Sequence, residues 1–273
     1  MTLSIVYFIL LCSLLTILQQ INDMIKIIPL TYSLIICSLL WPIISQATEV
    51  SMAFSKEIPP YIFEDDNSGI EIDIIKAALA HKGHTLKPMY FPLGRIPYAF
   101  TNNLVNAVMG DMGVNLKSQG GFYAKAAVIY DNVFITLKNK NILLERPKDL
   151  DSLNVVSFQG ADKRYPKWLK KVKEDSRFYG VSDQLTQVKL LYFGRYDVVV
   201  SDRYIFRYFV KKLNLMHGLD SQEITEHKLT IDKPMDYRPV FRDKKIRDDF
   251  NLGLTKIKES GEFLRIYNKY INL

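Results

Sequence analysis

The carboxylate of Asp202 stands at the point in the chain best placed for chemistry. The stretch "RYDVVVSD", residues 195–202, runs through Val198, Val199 and Val200 before it stops at that acid. A half-exposed strand alternates apolar and polar residues, so three valines in a row read as a strand buried on both faces. In open α/β sheets, ligands settle outside the carboxyl ends of the strands. An acid at such an end serves either to bind or to cap. Asp111 to Asn115 follows a second strand-like run, and Gln159-Gly160 closes a third. Other reactive groups are sparser. Asp65, Asp66, Glu71 and Asp73 crowd one segment, but Asp65 and Asp66 read as turn residues and Asp73 as an exposed helix position. His81 and His84 lie three apart and His217 and His227 ten apart, too few to make a metal set. The sequence carries no Ser/His/Asp set and no Gly-rich phosphate loop, so binding chemistry is expected rather than catalysis, with no metal and no cofactor.

Aiming an acid from a strand end requires a sheet, and the chain supplies the pieces of one. From Thr48 onward strand-like and helix-like segments alternate, which predicts an α/β fold with largely parallel sheets. Residues 50–54 read as a strand. Residues 70–82 read as a helix with Ile70, Ile74, Ile75, Ala78 and Leu79 on one stripe, and 85–91 as the next strand. A helical spacing opening near Arg95 carries Ile96, Ala99, Phe100, Leu104 and Val105, and a strand is expected over 107–114. The second half repeats this plan. It has a strand over 154–158, a basic helix begun by Pro166, a helix capped by Ser182 with Leu185, Val188, Leu191 and Tyr192 inward, and the strand 196–201. A strand-like piece follows residue 228 as far as 241. A helix with Ile246, Phe250, Leu254 and Ile257 inward comes next, and a last helix spans 262–270. "LLYFGRYDVVVSD" and "FTNNLVNAVMGDMG" share a shape, which implies two similar lobes whose strand ends face a crevice.

The head of the chain reads differently. Residues 5–18 and 27–44 are almost wholly apolar. In one reading Met24 begins a secretory signal, with Lys26 as its charged end, 34–41 as its core and Ser45-Gln46-Ala47 as a small-x-small cleavage site; residues 1–23 are then an upstream extension. In the other, one or both runs stay as membrane anchors, although each is shorter than the roughly 20 residues a spanning helix needs. Both cysteines, Cys12 and Cys37, lie in this head, so 48–273 has no disulfide framework, which suits an oxidising compartment. The expected address is the periplasm. The 273 residues carry 36 Lys and Arg against 29 Asp and Glu, a net charge of +7. The densest bases, over 162–174, read as a solvated helix face rather than a nucleic-acid patch.

The runs "IPPYIFEDDNSGIEIDIIKAALAHKG", "PLGRIPYAFTNNLVNAVMG", "VVSFQG", "LLYFGRYDVVVSD" and "LTKIKESGEFLRIYNKY", in that order, resemble the family 3 extracytoplasmic solute-binding proteins. These are the amino-acid-type receptors of bacterial ABC importers, with the type II periplasmic-binding-protein fold. The resemblance implies two lobes, 48–136 with 229–273 and 137–228, joined by a two-strand hinge that closes on a small polar solute. It implies a monomer that docks on a membrane permease. It also implies ligand-binding roles for seven residues. Asp202 falls where relatives pair an acid with a ligand's ammonium, and its replacement by alanine is expected to abolish binding of a cationic or zwitterionic ligand while leaving the fold intact. Gln159 and Gly160 form a turn that meets an anionic end. Arg95 matches a cleft base, and Tyr61 would lay its ring over the ligand. Asn115 and Lys117 follow the lobe-one strand. There the chain departs from the family's Thr-x-x-Arg element: no arginine lies between Gly113 and Asn132, and Lys117 supplies charge without a bidentate fork. Two alternatives stay open: a sensing module tethered at the membrane, which the end of the chain at Leu273 disfavours, and a dehydratase-like enzyme.

Overall fold

The structure, a computed structural model, describes residues 14–20, 47–217, 222–230 and 237–271. Residues 14–20 are helical and belong to a unit, Met1–Ser45, separate from Gln46–Leu273. The signal-or-anchor reading of 1–47 therefore falls almost wholly outside the described residues. Among the described residues, no helix is long and apolar enough to cross a membrane.

Gln46–Leu273 holds two five-stranded sheets. The first comprises β1 (Glu49–Ser55), β2 (Thr85–Phe91), β3 (Ala107–Val108), β4 (Phe122–Tyr123) and, returning late in the chain, β10 (Val240–Phe241). The second comprises β5 (Asn132–Leu137), β6 (Val155–Phe158), β7 (Phe178–Val181), β8 (Val198–Asp202) and β9 (Ile224–Lys228). Their orders are β2-β1-β3-β10-β4 and β7-β6-β8-β5-β9. The two-lobed α/β class expected from the sequence is present, but both sheets are mixed rather than mostly parallel. β10 runs antiparallel to β3 and β4, and β5 antiparallel to β8 and β9. The chain crosses between the sheets twice, after β4 and after β9. The second crossing contains 231–236, so part of the strand expected over 228–241 lies outside the described residues; β10 itself has two residues.

β8 shows why its valines do not alternate. Val199 packs with Val156 and Ile135 into a core that continues to the first sheet. Val198 and Val200 point the other way, onto Val155, Phe134, Trp168 and Leu169. Successive side chains leave a strand on opposite faces, and here both faces are covered.

Helix α1 (Ile70–Ala80) follows β1 and is buried on more than its predicted stripe, since Glu71 and Ile72 are buried as well. The additional cover comes partly from α7 (Lys244–Glu259), which crosses so closely that a Cβ on Gly253 would lie 1.9 Å from the Ala78 carbonyl oxygen. Helix α8 (Glu262–Ile271) closes this side, with the Tyr270 hydroxyl accepting from Gly69 N at 3.0 Å. Gly69 has φ 123° and lies against the Tyr61 carbonyl, a place no side chain fits. Helix α2 (Ile96–Thr101) is shorter than its apolar spacing predicts. It stops at Asn102, Asn103 takes a left-handed φ of 58°, and Leu104 is left exposed.

The second sheet is flanked by α3 (Ala161–Arg164), α4 (Pro166–Glu174), α5 (Gln184–Tyr192) and α6 (Arg203–His217). Asp183, not Ser182, caps α5: its oxygens accept from Leu185 N and Thr186 N, both at 3.1 Å. Two of the histidines, His84 and His227, are buried with hydrogen-bonding partners. His84 accepts from Thr48 N at 3.3 Å and meets Asp249 at 3.1 Å, and His227 meets the Thr136 hydroxyl at 2.9 Å.

Candidate functional site

A cleft of about 1510 Å³ is lined by residues from both sheets and their flanking helices. Lys56, Asp111, Asn115 and Lys117 border it from the half built on the first sheet. Gln159, Lys163, Arg164, Gln184 and Asp202 border it from the other half. Strand ends supply several of these: Lys56 follows β1, Gln159 follows β6, and Asp202 ends β8. This is the placement expected where ligands bind outside the carboxyl ends of strands. Aromatic rings form much of the apolar wall, among them Tyr130, Phe158, Tyr165 and Tyr237.

Asp202 lies at the floor, 2 % exposed. One oxygen accepts from Tyr204 N at 2.9 Å and Ile205 N at 3.0 Å, which caps the start of α6. The other accepts from Asp131 N at 2.6 Å and from the Tyr61 hydroxyl at 3.2 Å. The carboxylate thus ties α6 to the crossing before β5 and to the first half. Burial pushes its pKa up to about 6, against the pull of those donors.

Beside it sits a group that the sequence analysis did not single out. Glu71 lines the cleft yet is 1 % exposed, and it accepts from the Tyr130 hydroxyl at 2.8 Å. Burial pushes its pKa up to about 8, so at neutral pH the acid is mostly protonated. The signal was present: an acid between two isoleucines, Ile70 and Ile72, at the start of a helix that proves to be covered on several sides. Beside these acids Tyr130 packs between Tyr61 and Tyr237, with ring centroids 4.4 and 5.0 Å away and the ring planes tilted by 39° and 50°. Asn132, opposite Asp202 in the β5–β8 register, donates to the Tyr237 hydroxyl at 3.3 Å.

Four of the seven expected residues, Asn115, Lys117, Gln159 and Asp202, line the cleft; the other three do not. Tyr61 is fully buried under Tyr130, and so Tyr130, rather than Tyr61, presents its ring to the space. Arg95 lies on the outer surface with its guanidinium over Tyr98, because the turn from β2 into α2 carries it away. Gly160 takes a left-handed turn into the four-residue α3, and its neighbour Gln159 is the residue that reaches the cleft. Arg164 is a lining residue the sequence analysis passed over, set among the bases of the 162–174 run.

The buried Glu71 predicts a pH dependence of stability. Its pKa in the fold, about 8, is above the ordinary 4.5. Between those values the folded state binds more protons than the unfolded one, so stability falls as pH rises from about 4.5 to about 8 and levels above it. Glu71→Gln should flatten that part of the curve, measured by chemical denaturation at stepped pH. An unchanged slope would mean that Glu71 is not held neutral.

A family profile described as bacterial extracellular solute-binding proteins, family 3, matches residues 50–273. No curated protein matches the chain. Among solved structures, an ancestral arginine-binding protein bound to glutamine superposes with a TM-score of 0.60 at 19% identity, covering 81% of this chain and 97% of that one. An arginine transport-system periplasmic binding protein from Legionella pneumophila gives 0.60 at 16% identity, covering 82% and 100%. An amino acid ABC transporter substrate-binding protein from Streptococcus pneumoniae, bound to L-arginine, gives 0.61 at 14% identity, covering 82% and 94%. At these identities the likeness is one of fold.

Proposed function

Since the chain belongs to the family 3 bacterial extracellular solute-binding proteins, we propose that it is a periplasmic receptor that captures a small polar solute and delivers it to the permease of an ABC importer. The observation that carries this reading is the cleft itself, bordered from both sheets and floored by an acid whose bonds reach across both halves. A solute that touches both walls is held by more contacts when the walls approach, so it favours the closed form by its differential affinity. The crossings after β4 and after β9 serve as the hinge; because β5 belongs to the second sheet, the lobes divide before Asn132 rather than between 136 and 137, and again after Lys228. The volume exceeds the roughly 300–1,000 Å³ usual for a ligand site, in keeping with an open form that narrows on binding. Asn115, Lys117, Gln159 and Asp202 are assigned to the ligand site or its floor, and the receptor acts as a monomer without a cofactor. A binding role is preferred to an enzymatic one because the matched family is one of binding proteins.

The test is a thermal-shift screen against amino acids, polyamines, small peptides and organic acids, with the solute recovered afterwards. A receptor gains about 2.7 kcal/mol at a hundredfold excess over the dissociation constant, shrinks in small-angle scattering, and returns its solute unchanged. A solute consumed, or no shift from any class, would overturn the proposal.

A further inference from the structure

We propose that the solute is a dianion, two separated acidic groups on an apolar, planar body, with one group met by bases of each half of the cleft. This rests on the receptor reading above and narrows it.

An amino-acid ligand brings an ammonium, which needs a carboxylate to spare. Among the described residues, the cleft is lined by Glu57, Glu71, Asp111 and Asp202. Both oxygens of Asp202 already accept two hydrogen bonds each. Glu71 is buried, bonded to Tyr130 and held mostly neutral. Asp111 accepts from the Tyr123 hydroxyl at 2.7 Å and from Gly113 N at 2.8 Å. Glu57 accepts from Glu64 N at 3.1 Å and is exposed, as are Lys56, Lys117 and Lys163, so among the described residues one exposed acid stands against three equally exposed lysines and the half-buried Arg164.

The bases stand the other way. Among the described residues, the ammonium groups of Lys56, Lys117 and Lys163 have no ion-pair or hydrogen-bond partner, although all three line the cleft. Arg164 lays its guanidinium over Phe158 at 5.7 Å and Tyr237 at 5.6 Å. The N–H groups of that guanidinium find no acceptor among the described residues. A stacked guanidinium keeps its donors in one plane, the arrangement that grips a carboxylate through two parallel hydrogen bonds. Lys56 and Lys117 belong to the half built on the first sheet, Lys163 and Arg164 to the other. A solute with an acid at each end therefore contacts both halves, which is the condition for closure. The rings of Tyr130, Tyr237 and Phe158 between them suit a planar apolar body.

Terephthalate and adipate are suitable probes, with benzoate, L-arginine and L-glutamine as comparisons, read by thermal shift and titration calorimetry on the purified protein. The dicarboxylates are expected to bind, at least tenfold tighter than benzoate. Arg164→Gln and Lys117→Gln should each weaken terephthalate about tenfold; Lys117→Gln should leave the unliganded melting temperature in place, since its ammonium has no partner among the described residues, whereas Arg164→Gln also gives up its contacts with Phe158 and Tyr237 and is read against its own unliganded melting temperature. Silence from both dicarboxylates, or tighter binding of L-arginine or L-glutamine, overturns the dianion assignment. If another class in the screen still binds and is returned intact, the receptor reading survives that result. If every class is silent, both fall.

Discussion

Gly253→Val is expected to lower the melting temperature by about 10 °C. The Cβ alone would stand 1.9 Å from the Ala78 carbonyl oxygen and 2.8 Å from its carbon. Both belong to helix backbone, which cannot rotate aside as a side chain can. Forcing volume into a packed interior costs typically about 1–3 kcal/mol, and more where backbone must move. Here α7 has to shift off α1, whose Ile74, Ile75 and Leu79 are fully buried. At about 2–4 °C per kcal/mol for a body of this size, a loss of roughly 3 kcal/mol gives the expected drop. A thermal melt followed by circular dichroism measures it. A change of less than about 2 °C would mean that the two helices do not approach so closely.

Asp202→Ala should destabilise the protein by about 3 kcal/mol at pH 4 and by less at pH 7. The substitution removes the cap of α6, worth about 1 kcal/mol. It also strands the buried Tyr61 hydroxyl, at about 1–3 kcal/mol, and frees Asp131 N. The pH dependence follows from the raised pKa, about 6 in the fold against an ordinary 3.8. Across that window the folded state holds a proton that the unfolded state has lost, so this acid's contribution declines as pH rises and is level above about 6. The alanine variant has no such decline, so the gap between the two proteins narrows with pH. Denaturant titrations at pH 4 and pH 7 measure the gap. Equal gaps would show that the carboxyl titrates normally, and no gap at either pH would show that it holds nothing. The expectation from sequence that this substitution leaves the fold intact is thereby revised, because the acid joins three segments rather than waiting free for a ligand.

Much of the frame was legible along the chain. The bounds of β2 and the inward faces of α5 and α7 follow from apolar spacing alone, since a helix or strand that must bury one side shows its period in sequence. The uninterrupted valines of β8 announced cover on both faces for the same reason. Helix α6 could have been read from Ile205, Phe206, Phe209 and Leu213, whose spacing is helical and all of which are buried. Recognising it would have made the capping role of Asp202 visible, because a helix that begins after an aspartate is capped by it.

What escaped the sequence is which side chains meet. Tyr61 and Tyr130 are 69 positions apart, and only their ring-to-ring contact decides that the second faces the cleft while the first lies beneath it. Arg95 and Arg164 are equally basic in sequence; the turn before α2 turns one outward, and the rings of Phe158 and Tyr237 hold the other at the cleft. The sequence by itself determined the two-sheet α/β plan, the acid at the end of β8 and the missing arginine after β3, because these are local patterns of type and order. Tertiary structure alone decided that Glu71 is buried and mostly neutral, that Asp202 has its acceptors filled, and that bases without partners among the described residues line the cleft from both halves. Burial and partnership depend on segments far apart in the chain, and no local spacing encodes them.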